Sequence, residues 1–397
     1  MLQMLIIGGG IHGTHLAHCL LQQTPLTRDD IRILDPHEEL LHEWRRCTRN
    51  CGMRYLRSPS VHHIDIDPFS LDRYAFLPEN KRDSNFIPPK DRPSLELFHK
   101  HCRMVIDTHR LASMQIQGTA LKSMDRITHV RVVTEEKTID TRMIILALGM
   151  NNQPLWPQWA MLLRDQGAPV HHVFDPDFCL DAIQNRGPIA VVGSGISGAQ
   201  LALHMAEKGL DDILLVSRNA IQVSDFDFAP GWLGPKHLDQ FNRQSMDERR
   251  QSIKAARMKG SIPQDTKASI DSATAEERIS CIVDDISGAK LEAGNLLLSG
   301  LHGQYACGQV ILATGFREER PGNGFISQTI EEFHLKTAPC GFPVIGPSLQ
   351  WHERIFVSGP LSELQIGPSA RNIAGARHSG RRITTAFKKE SIPSKVV

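Results

Sequence analysis

The sequence predicts an α/β fold in which one strand–glycine–helix unit occurs twice. Residues 4–20 and 189–202 each run from an apolar strand through three glycines into a segment whose apolar residues have helical spacing. Two later apolar runs, residues 143–149 and 310–316, contain small residues and glycine at their ends and are predicted to close the two units. A repeat of this kind indicates two copies of one supersecondary structure.

Length and composition are typical of a globular protein with two domains. A chain of 397 residues is too long for a single ordinary core. The 45 Lys and Arg residues balance the 44 Asp and Glu residues, so there is no charge excess of the kind that nucleic-acid or anionic-membrane binding requires. We therefore expect a small-molecule substrate and no nucleic acid, and the sequence sets no oligomeric state.

The chain shows no sign of export, membrane insertion or metal binding. No apolar run approaches the roughly 20 residues of a membrane span, and no basic leader precedes the first strand. The eight cysteines are scattered, which indicates reduced thiols and a cytoplasmic location. His12, His15 and His18 recur every three residues without a matching acid or thiol set, so no metal site is predicted.

The first glycine motif has the pattern of a dinucleotide-binding turn. Gly8, Gly10 and Gly13, with Ile11 and His12 between them, fit G-x-G-x-x-G after an apolar strand. In such a turn the first glycine makes the bend, the second admits a pyrophosphate and the third allows close packing of helix on strand. The phosphates would lie at the helix N-terminus, where free N–H groups favour anions.

A carboxylate stands where such a site needs one. The second strand, residues 31–34, ends in Asp35, about 20 residues after Gly13, which is the usual place for an acid that binds a ribose hydroxyl. A glycine-rich turn without a ligand is the alternative. The combination of strand, glycines, helix and terminal acid favours a dinucleotide.

The second motif repeats the first in phase but ends differently. Its glycines are Gly193, Gly195 and Gly198, with Ser194 and Ser197 as neighbours. Together the two motifs predict two Rossmann-like domains.

Arg218 follows the second strand of the second unit, where the first unit has Asp35. An arginine there can bind a 2′-phosphate, which favours NADP over NAD. An exposed arginine that begins a loop is the alternative interpretation.

These motifs resemble a known enzyme group. The two glycine motifs, Ala-Thr-Gly-Phe at 313–316 and Ile-Phe-Val-Ser-Gly-Pro at 355–360 are similar to those of FAD- and NADPH-dependent oxidoreductases that include class B flavin monooxygenases and amino-acid N-hydroxylases. The resemblance implies FAD at the first motif and NADPH at the second, an assignment that the residues alone do not make. It implies hydride transfer to the flavin and then oxygen activation.

The resemblance also implies a discontinuous layout. The FAD domain would comprise residues 1–157 and 304–397, and the NAD(P)H domain would be inserted as residues 158–303. Within the NAD(P)H domain, residues from about 224 to 303 are rich in turns and aromatics and are predicted to form a lid or a substrate wall.

Further cofactor contacts are expected from the same resemblance. Gly149 and Gly315 end the closing strands, and Gly359 and Gln365 lie in a turn that would face the flavin before a helix running to about residue 385. A C-terminal docking helix is the alternative for that segment.

The run from Trp44 to residue 59 contains Leu-Arg-Ser-Pro, which is similar to a run beside the flavin in N-hydroxylases. Trp44, Met53, Leu56 and Arg57 are therefore candidates for a flavin wall, or alternatively for an exposed basic face.

One departure from the family pattern weakens the prediction of oxygen chemistry. The F-x-G-x-x-x-H-x-x-x-Y/F motif of many monooxygenases is matched here only at Gly167 and His171. A flavin disulfide reductase using Cys47 and Cys51 is a second hypothesis, although their spacing is not the usual one. A flavin-binding redox sensor without turnover is a third, and no catalytic residue is predicted.

Overall fold

The computed structural model describes residues 1–88, 91–183, 187–210, 212–292 and 294–390. The strands are β1 Leu2–Ile7, β2 Ile31–Asp35, β3 Phe86–Ile87, β4 Arg92–Pro93, β5 Gln115–Gln117, β6 Lys122–Asp125, β7 Val130–Val133, β8 Thr138–Leu146, β9 Val170–His172, β10 Ile189–Val192, β11 Ile213–Ser217, β12 Gln222–Val223, β13 Ser261–Ile262, β14 Ile279–Val283, β15 Gly288–Glu292, β16 Asn295–Ser299, β17 Gln304–Cys307, β18 Gln309–Leu312, β19 Gln350–His352 and β20 Ile355–Val357. The helices are α1 Ile11–Gln23, α2 His42–Asn50, α3 Ser70–Ala75, α4 Leu95–Thr108, α5 Gln158–Asp165, α6 Ile196–Glu207, α7 Pro235–Phe241, α8 Met246–Ala256, α9 Gln264–Ala275, α10 Asn323–Glu332, α11 Glu363–Ile366 and α12 Ile373–Glu390.

The first sheet is built around the first glycine motif. Its main strand order is β19-β20-β8-β1-β2-β5, and β1 runs parallel to both β2 and β8. The strand β20, from near the end of the chain, lies parallel to β8. Because parallel strands of this kind are covered on both faces, their residues are almost entirely apolar, and β1 buries its last four residues completely or nearly so.

The second sheet is built around the second motif. Its strand order is β14-β11-β10-β18-β9, and every neighbouring pair is parallel. All its strands lie in sequence between β8 and β19 of the first sheet. The predicted α/β fold, with two Rossmann-like units and the second inserted into the first, is therefore confirmed.

Two details differ from the predicted layout. Strand β18 lies beyond the expected boundary at residue 303, yet it pairs with β10 inside the second sheet. Strand β14, which falls in the predicted lid segment, is the edge strand next to β11. Strand β14 thus completes the second sheet, whereas β15, β16 and β17 form a separate three-stranded antiparallel sheet. The division into domains stays a prediction.

The segment between β11 and α9, residues 218–263, is called the insertion below. Helix α8 begins at a capping box, in which Ser245 and Glu248 bond each other's backbone N–H groups. Leu238, Phe241 and Ile253 of the insertion form a small core with Phe342 and Leu364 from the C-terminal part of the chain. The insertion is thus packed on the segment that follows β20.

No helix within the described ranges combines the length and apolar character that crossing a membrane would require.

Candidate nucleotide-binding cleft

The first glycine turn has no room for side chains at two of its three glycines. Gly8 has φ of +114°, and a Cβ there would lie 2.5 Å from the carbonyl oxygen of Ala147. A Cβ on Gly13 would overlap the carbonyl oxygen of Gly8. The packing of α1 on β1 therefore depends on both glycines, as the motif predicts.

Gly10, the second glycine of the motif, faces open space. A Cβ on Gly10 would meet no atom within 4 Å. Gly10 is also the N-cap of α1, where no side chain caps the helix and no acidic residue occupies the first turn. The free N–H groups of the helix and the vacant space above them fit a pyrophosphate.

Asp35 lies against this turn at the end of β2. One carboxylate oxygen accepts the N–H of Gly9 at 2.6 Å, and the other accepts the N–H of His37 at 3.0 Å. These bonds fix the carboxylate at the position predicted for a ribose ligand, and each oxygen keeps a lone pair for a hydroxyl.

The turn after β20 closes on the same place. Gly359 has φ of +70°, and a Cβ there would lie 3.8 Å from the ring of His12 and 3.5 Å from the carbonyl oxygen of Leu148. The His12 Nδ1 and the Ser358 hydroxyl lie 2.8 Å apart in a hydrogen bond. The structure therefore brings Gly359 and the residue before Gly149 together at the first motif.

His12 is buried beside this turn. Burial lowers the pKa of His12 to about 4, so its imidazole is neutral at neutral pH. Its Nε2 has no hydrogen-bond partner among the residues that the structure describes.

The second glycine turn repeats the first closely. Gly193 has the same φ of +114°, and a Cβ there would lie 2.5 Å from the carbonyl oxygen of Ala313. A Cβ on Gly198 would overlap the carbonyl oxygen of Gly193. Gly195 is the N-cap of α6, which again has no side-chain cap and no acid in its first turn. The two helix N-termini are therefore alike, except that a Cβ on Gly195 would lie 3.8 Å from the Cα of Gly260, whereas one on Gly10 would meet no atom within 4 Å.

The start of α6 contacts the first unit. The Ser197 hydroxyl and the Cys51 thiol share a hydrogen bond, while Ser194 is buried within the turn itself. Arg218 follows β11 and is exposed, and no ion pair to another described residue holds its guanidinium. Gly315 has φ of +79°, and its carbonyl accepts the N–H of Leu155 at 2.8 Å.

The four candidates for a flavin wall have different positions. Trp44 and Met53 are partly buried against the core of the first sheet, and the Trp44 ring lies 5.5 Å from that of Phe98. Leu56 is only 2% exposed. Its side chain is part of that core, and its place in a flavin wall stays a prediction.

Arg57, the fourth candidate, binds the insertion. Its Nη2 donates at 2.8 Å to the carbonyls of Ser224 and Phe226 and to the hydroxyl of Ser261. Its Nη1 donates to Asp227 at 3.2 Å. Gln365 is likewise occupied, because its Oε1 accepts from Arg249 of α8 at 3.2 Å.

A polar contact between the units was missed in the sequence. Arg46 of α2 is buried and donates to the carbonyls of Phe174 and Asp175, and Asn50 donates to the carbonyl of Phe178. These bonds hold α2 to the segment after β9. No sequence pattern links residues so far apart. Two polar residues on one face of a short helix are only a weak indication that this face makes a polar contact.

The cysteine pair of the disulfide-reductase hypothesis does not have the properties of a reactive pair. Cys47 and Cys51 are free thiols, and burial raises the pKa of each to about 12. A thiol that attacks a disulfide needs a lowered pKa. Both residues therefore fit a structural role.

One group of side chains could hold a metal ion by proximity. The ligand atoms of His37, His42 and Glu43 all lie within 4.8 Å of one another. Both carboxylate oxygens of Glu43 already accept from Arg46, at 2.9 Å each. The adjacent guanidinium opposes a cation here.

Comparison with known proteins identifies the family. The family model for L-lysine 6-monooxygenase/L-ornithine 5-monooxygenase matches residues 75–273, which is half of the chain. No curated protein sequence matches at a significant level.

Several solved structures share the fold over their whole length. An ornithine hydroxylase from Pseudomonas aeruginosa has 18% identity and a TM-score of 0.78, with 98% of each chain covered. An ornithine N-hydroxylase from Kutzneria sp. 744, with reduced FAD, NADP+ and L-ornithine, has 14% identity and a TM-score of 0.77 over 99% of this chain and 100% of that one. A FAD-bound cadaverine monooxygenase from Erwinia amylovora has 12% identity and a TM-score of 0.76 over 100% and 97%.

The family match confirms the predicted resemblance and the predicted class of enzyme, a FAD-dependent NAD(P)H oxidoreductase of the monooxygenase type. The chain therefore belongs to the L-lysine 6-monooxygenase/L-ornithine 5-monooxygenase family.

Proposed function

We propose that this protein hydroxylates the primary amine nitrogen of a small molecule, using FAD, NADPH and O2. In the balanced reaction, an amine, NADPH, a proton and O2 give a hydroxylamine, NADP+ and water. The observation that carries the proposal is the pair of helix N-termini without a side-chain cap, each directly after a glycine turn, in a chain of this family.

The first turn is proposed to hold FAD. Gly8 and Gly13 shape the turn, the N–H groups at Gly10, Ile11 and His12 bind the pyrophosphate, and Asp35 binds the ribose of the adenosine. The open space at Gly10 supports this assignment.

The flavin end is proposed to lie toward the C-terminal turn. Gly149, Gly359 and Gln365 are proposed to border that region, with Trp44 and Met53 as further contacts. Arg57 acts there indirectly, because its guanidinium is engaged by the insertion.

The second turn is proposed to hold NADPH. Gly193, Gly195 and Gly198 form the cradle, and Ser194 and Ser197 flank it. Arg218 binds the 2′-phosphate, a role supported by its exposure and by its place after β11. Gly315 ends the closing strand beside this site.

Bound FAD supplies hydride acceptance and the activation of O2. The chain's own residues are proposed to orient the two cofactors and to keep water out of the site. Arg46, Asn50 and the bond between Ser197 and Cys51 fix the distance between the two turns. The insertion, held by Arg57 and packed on Leu364, is proposed to cover the cleft and to exclude water. The eight free thiols support a cytoplasmic location.

The test first detects bound flavin by its colour and then measures how much hydroxylamine is formed per NADPH consumed. Purified protein should be yellow, and NADPH should bleach it under argon faster than NADH does. Addition of O2 with L-ornithine, L-lysine, putrescine or cadaverine should then give one hydroxylamine per NADPH for the true substrate. Protein that cannot be loaded with FAD contradicts the proposal. Reduction of a disulfide substrate without any hydroxylamine would favour a reductase, and failure of NADPH to bleach the flavin would favour a redox sensor.

A further inference from the structure

Two stretches of chain connect the first sheet with the second. The chain leaves the first sheet after β8 through residues 147–157, and it returns after β18 through residues 313–322. These two stretches are called the crossing segments. Because the backbone passes between the two sheets at these places, any rotation of one glycine turn relative to the other must bend the crossing segments.

The crossing segments are paired with each other. The Leu155 N–H donates to the Gly315 carbonyl at 2.8 Å, and the Arg317 N–H donates to the Gln153 carbonyl at 2.9 Å. An antiparallel β-bridge lies between these two bonds. The paired backbones therefore restrain the angle between the two sheets.

His172 joins the end of β9 to both crossing segments. Its side chain is completely buried, and its Nδ1 accepts the Phe174 N–H at 3.2 Å, so the ring proton lies on Nε2. Nε2 donates to the Thr314 hydroxyl at 3.2 Å, and that hydroxyl donates to the Leu155 carbonyl. Burial lowers the pKa of His172 to about 4, so the neutral ring is kept at neutral pH. The result is a chain of hydrogen bonds from the second sheet to both crossing segments.

Phe174, two residues after β9, contacts the first unit as well. Its ring is stacked on that of Phe316 in the second crossing segment, with the ring centroids 4.6 Å apart. Its carbonyl accepts from Arg46 of α2 at 3.0 Å. The end of β9 is thus held to the first unit by Arg46 and to the crossing segments by His172 and Phe174.

Thr314 lies directly behind the second glycine turn. A Cβ on Gly193 would lie 3.3 Å from the backbone nitrogen of Thr314. Gly315, a candidate cofactor contact, is the next residue. Ligands of parallel sheets bind outside the carboxyl ends of the strands, and Thr314 follows the carboxyl end of β18. The hydroxyl of Thr314 therefore connects the proposed NADPH cradle to the path of the chain between the two units.

We propose that His172 and Thr314 are positioning residues for hydride transfer from NADPH to FAD, because their hydrogen bonds set the angle at which the second glycine turn faces the first unit. In this transfer NADPH loses a hydride to become NADP+, and FAD gains that hydride and a proton. The rate depends steeply on alignment, and a displacement of about 1 Å can cost about 100-fold. This inference rests on the proposed function, and it assigns no contact between either side chain and a cofactor.

Thr314→Val tests the pair, because valine keeps the shape of threonine and removes its hydroxyl. The rate at which saturating NADPH bleaches the flavin under argon should fall about 10- to 100-fold. The Kd of NADP+, the FAD content and the rate of flavin reduction by dithionite should not change. An unchanged rate with NADPH in this variant overturns the inference, as does an equal loss of rate with dithionite.

Two further substitutions and a control locate the effect. Thr314→Ser keeps the hydroxyl and should keep the rate of the unchanged protein. His172→Leu removes the donor and should slow flavin reduction as Thr314→Val does. His171→Ala, at the exposed neighbour on the same strand, should have no effect. Thermal melting checks that each variant is folded, and the two Thr314 variants decide the question if His172→Leu is not.

Hydrogen exchange measures the alignment without turnover. The amides of Leu155 and Arg317 donate across the crossing segments. In the full-length Thr314→Val protein without NADPH, these amides should exchange about tenfold faster, which is the factor for the loss of one hydrogen bond. Unchanged exchange at both amides overturns the inference.

Failure of the inference and failure of the proposed function give different results. A Thr314→Val protein that reduces its flavin and hydroxylates an amine at the normal rate would keep the function and remove the role of the pair. If NADPH does not bleach the flavin of the unchanged protein, the proposed function fails. Hydrogen exchange then decides by itself whether the pair aligns the two units.

Discussion

The guanidinium of Arg57 and the carboxylate of Asp227 form an ion pair of 3.2 Å that connects the first unit to the insertion of the second. Four further hydrogen bonds from Arg57 reach the insertion at Ser224, Asp225, Phe226 and Ser261. Three of these acceptors are backbone carbonyls, so Arg57 holds the course of the chain as well as one acid.

Arg57→Ala should therefore loosen the insertion. Hydrogen bonds from a charged donor contribute about 1.5–3 kcal/mol, and we expect a loss of that order in the free energy of unfolding. Limited proteolysis should show faster cleavage between residues 218 and 263. Arg54→Ala is the matched control, because Arg54 is 65% exposed and pairs only with Glu207 at the surface. Its cost should stay below about 1 kcal/mol. Equal effects of the two variants would contradict the role of Arg57.

Gly10 and Gly13 should respond differently to alanine. Gly13→Ala places a methyl group on the carbonyl oxygen of Gly8 and should cost at least about 2 kcal/mol of stability. Gly10→Ala meets no atom of the protein, so the free energy of unfolding should change by no more than about 1 kcal/mol. Its methyl group enters the cradle, however, and FAD content should fall to roughly a tenth. Absorbance of the flavin and thermal melting measure the two effects, and full FAD content in Gly10→Ala would rule out the assignment of this turn.

Arg218→Ala should change the choice of nicotinamide cofactor. Loss of a charged contact to the 2′-phosphate predicts a KM for NADPH that is about 10- to 100-fold higher, with little change in the KM for NADH. Rates of flavin reduction under argon, measured with both cofactors, provide the comparison. Arg278→Ala, at another surface arginine of the second unit, is the control. A parallel rise in both KM values would show that Arg218 does not read the phosphate.

Buried histidines predict a loss of stability in mild acid. Burial lowers the pKa of His15 and of His63 to about 3, and that of His101 to about 4. In the unfolded chain these groups titrate near pH 6.5, so the unfolded state binds more protons below that pH. The stability is complete above pH 6.5 and falls as the pH drops toward 4, by about 1.4 kcal/mol per unit for each histidine.

Denaturant unfolding at pH 7, 6 and 5 measures this slope. Asp65, whose pKa is lowered by His18 and Ser70, contributes stability that is lost only below its unfolded value, outside this window. His101→Gln should reduce the slope by up to about 1.4 kcal/mol per pH unit, because it removes one of eight histidines whose pKa burial lowers to about 3 or 4. A slope that does not change in this variant would exclude His101 as a contributor.

The two glycine turns could be predicted from the sequence because their constraints are local. Gly8 and Gly13, or Gly193 and Gly198, are five residues apart, and the steric rule that joins them acts within one turn. Asp35 and Arg218 could be predicted for a similar reason, because each lies at the end of the second strand of its own unit, at a fixed distance from the glycine turn. The flavin wall was harder: Leu56 and Arg57 are adjacent in the sequence, but one is a core residue and the other binds the insertion.

The buried ion pairs of Glu363 with Arg250 and Arg371 could not be predicted in this way. Arg250 and Glu363 are separated by more than a hundred residues, and they lie in segments that follow strands of different sheets. Their pairing depends on how the insertion folds back over the C-terminal turn, which no local pattern specifies. The same holds for Arg46, whose acceptors Phe174 and Asp175 are backbone carbonyls and leave no trace in the sequence.

The position of β20 has a consequence for the order of folding during synthesis. Every strand of the second sheet has been made once residue 312 leaves the ribosome, so that unit can assemble early. The first sheet cannot be completed before residues 355–357 are synthesised, although its other parallel strands, β1, β2, β5 and β8, are synthesised first. The nascent chain therefore carries an incomplete first sheet, in which residues 144–146 of β8 lack their partner strand until residues 355–357 are made, so the sheet that contains the N-terminus is the last to be completed.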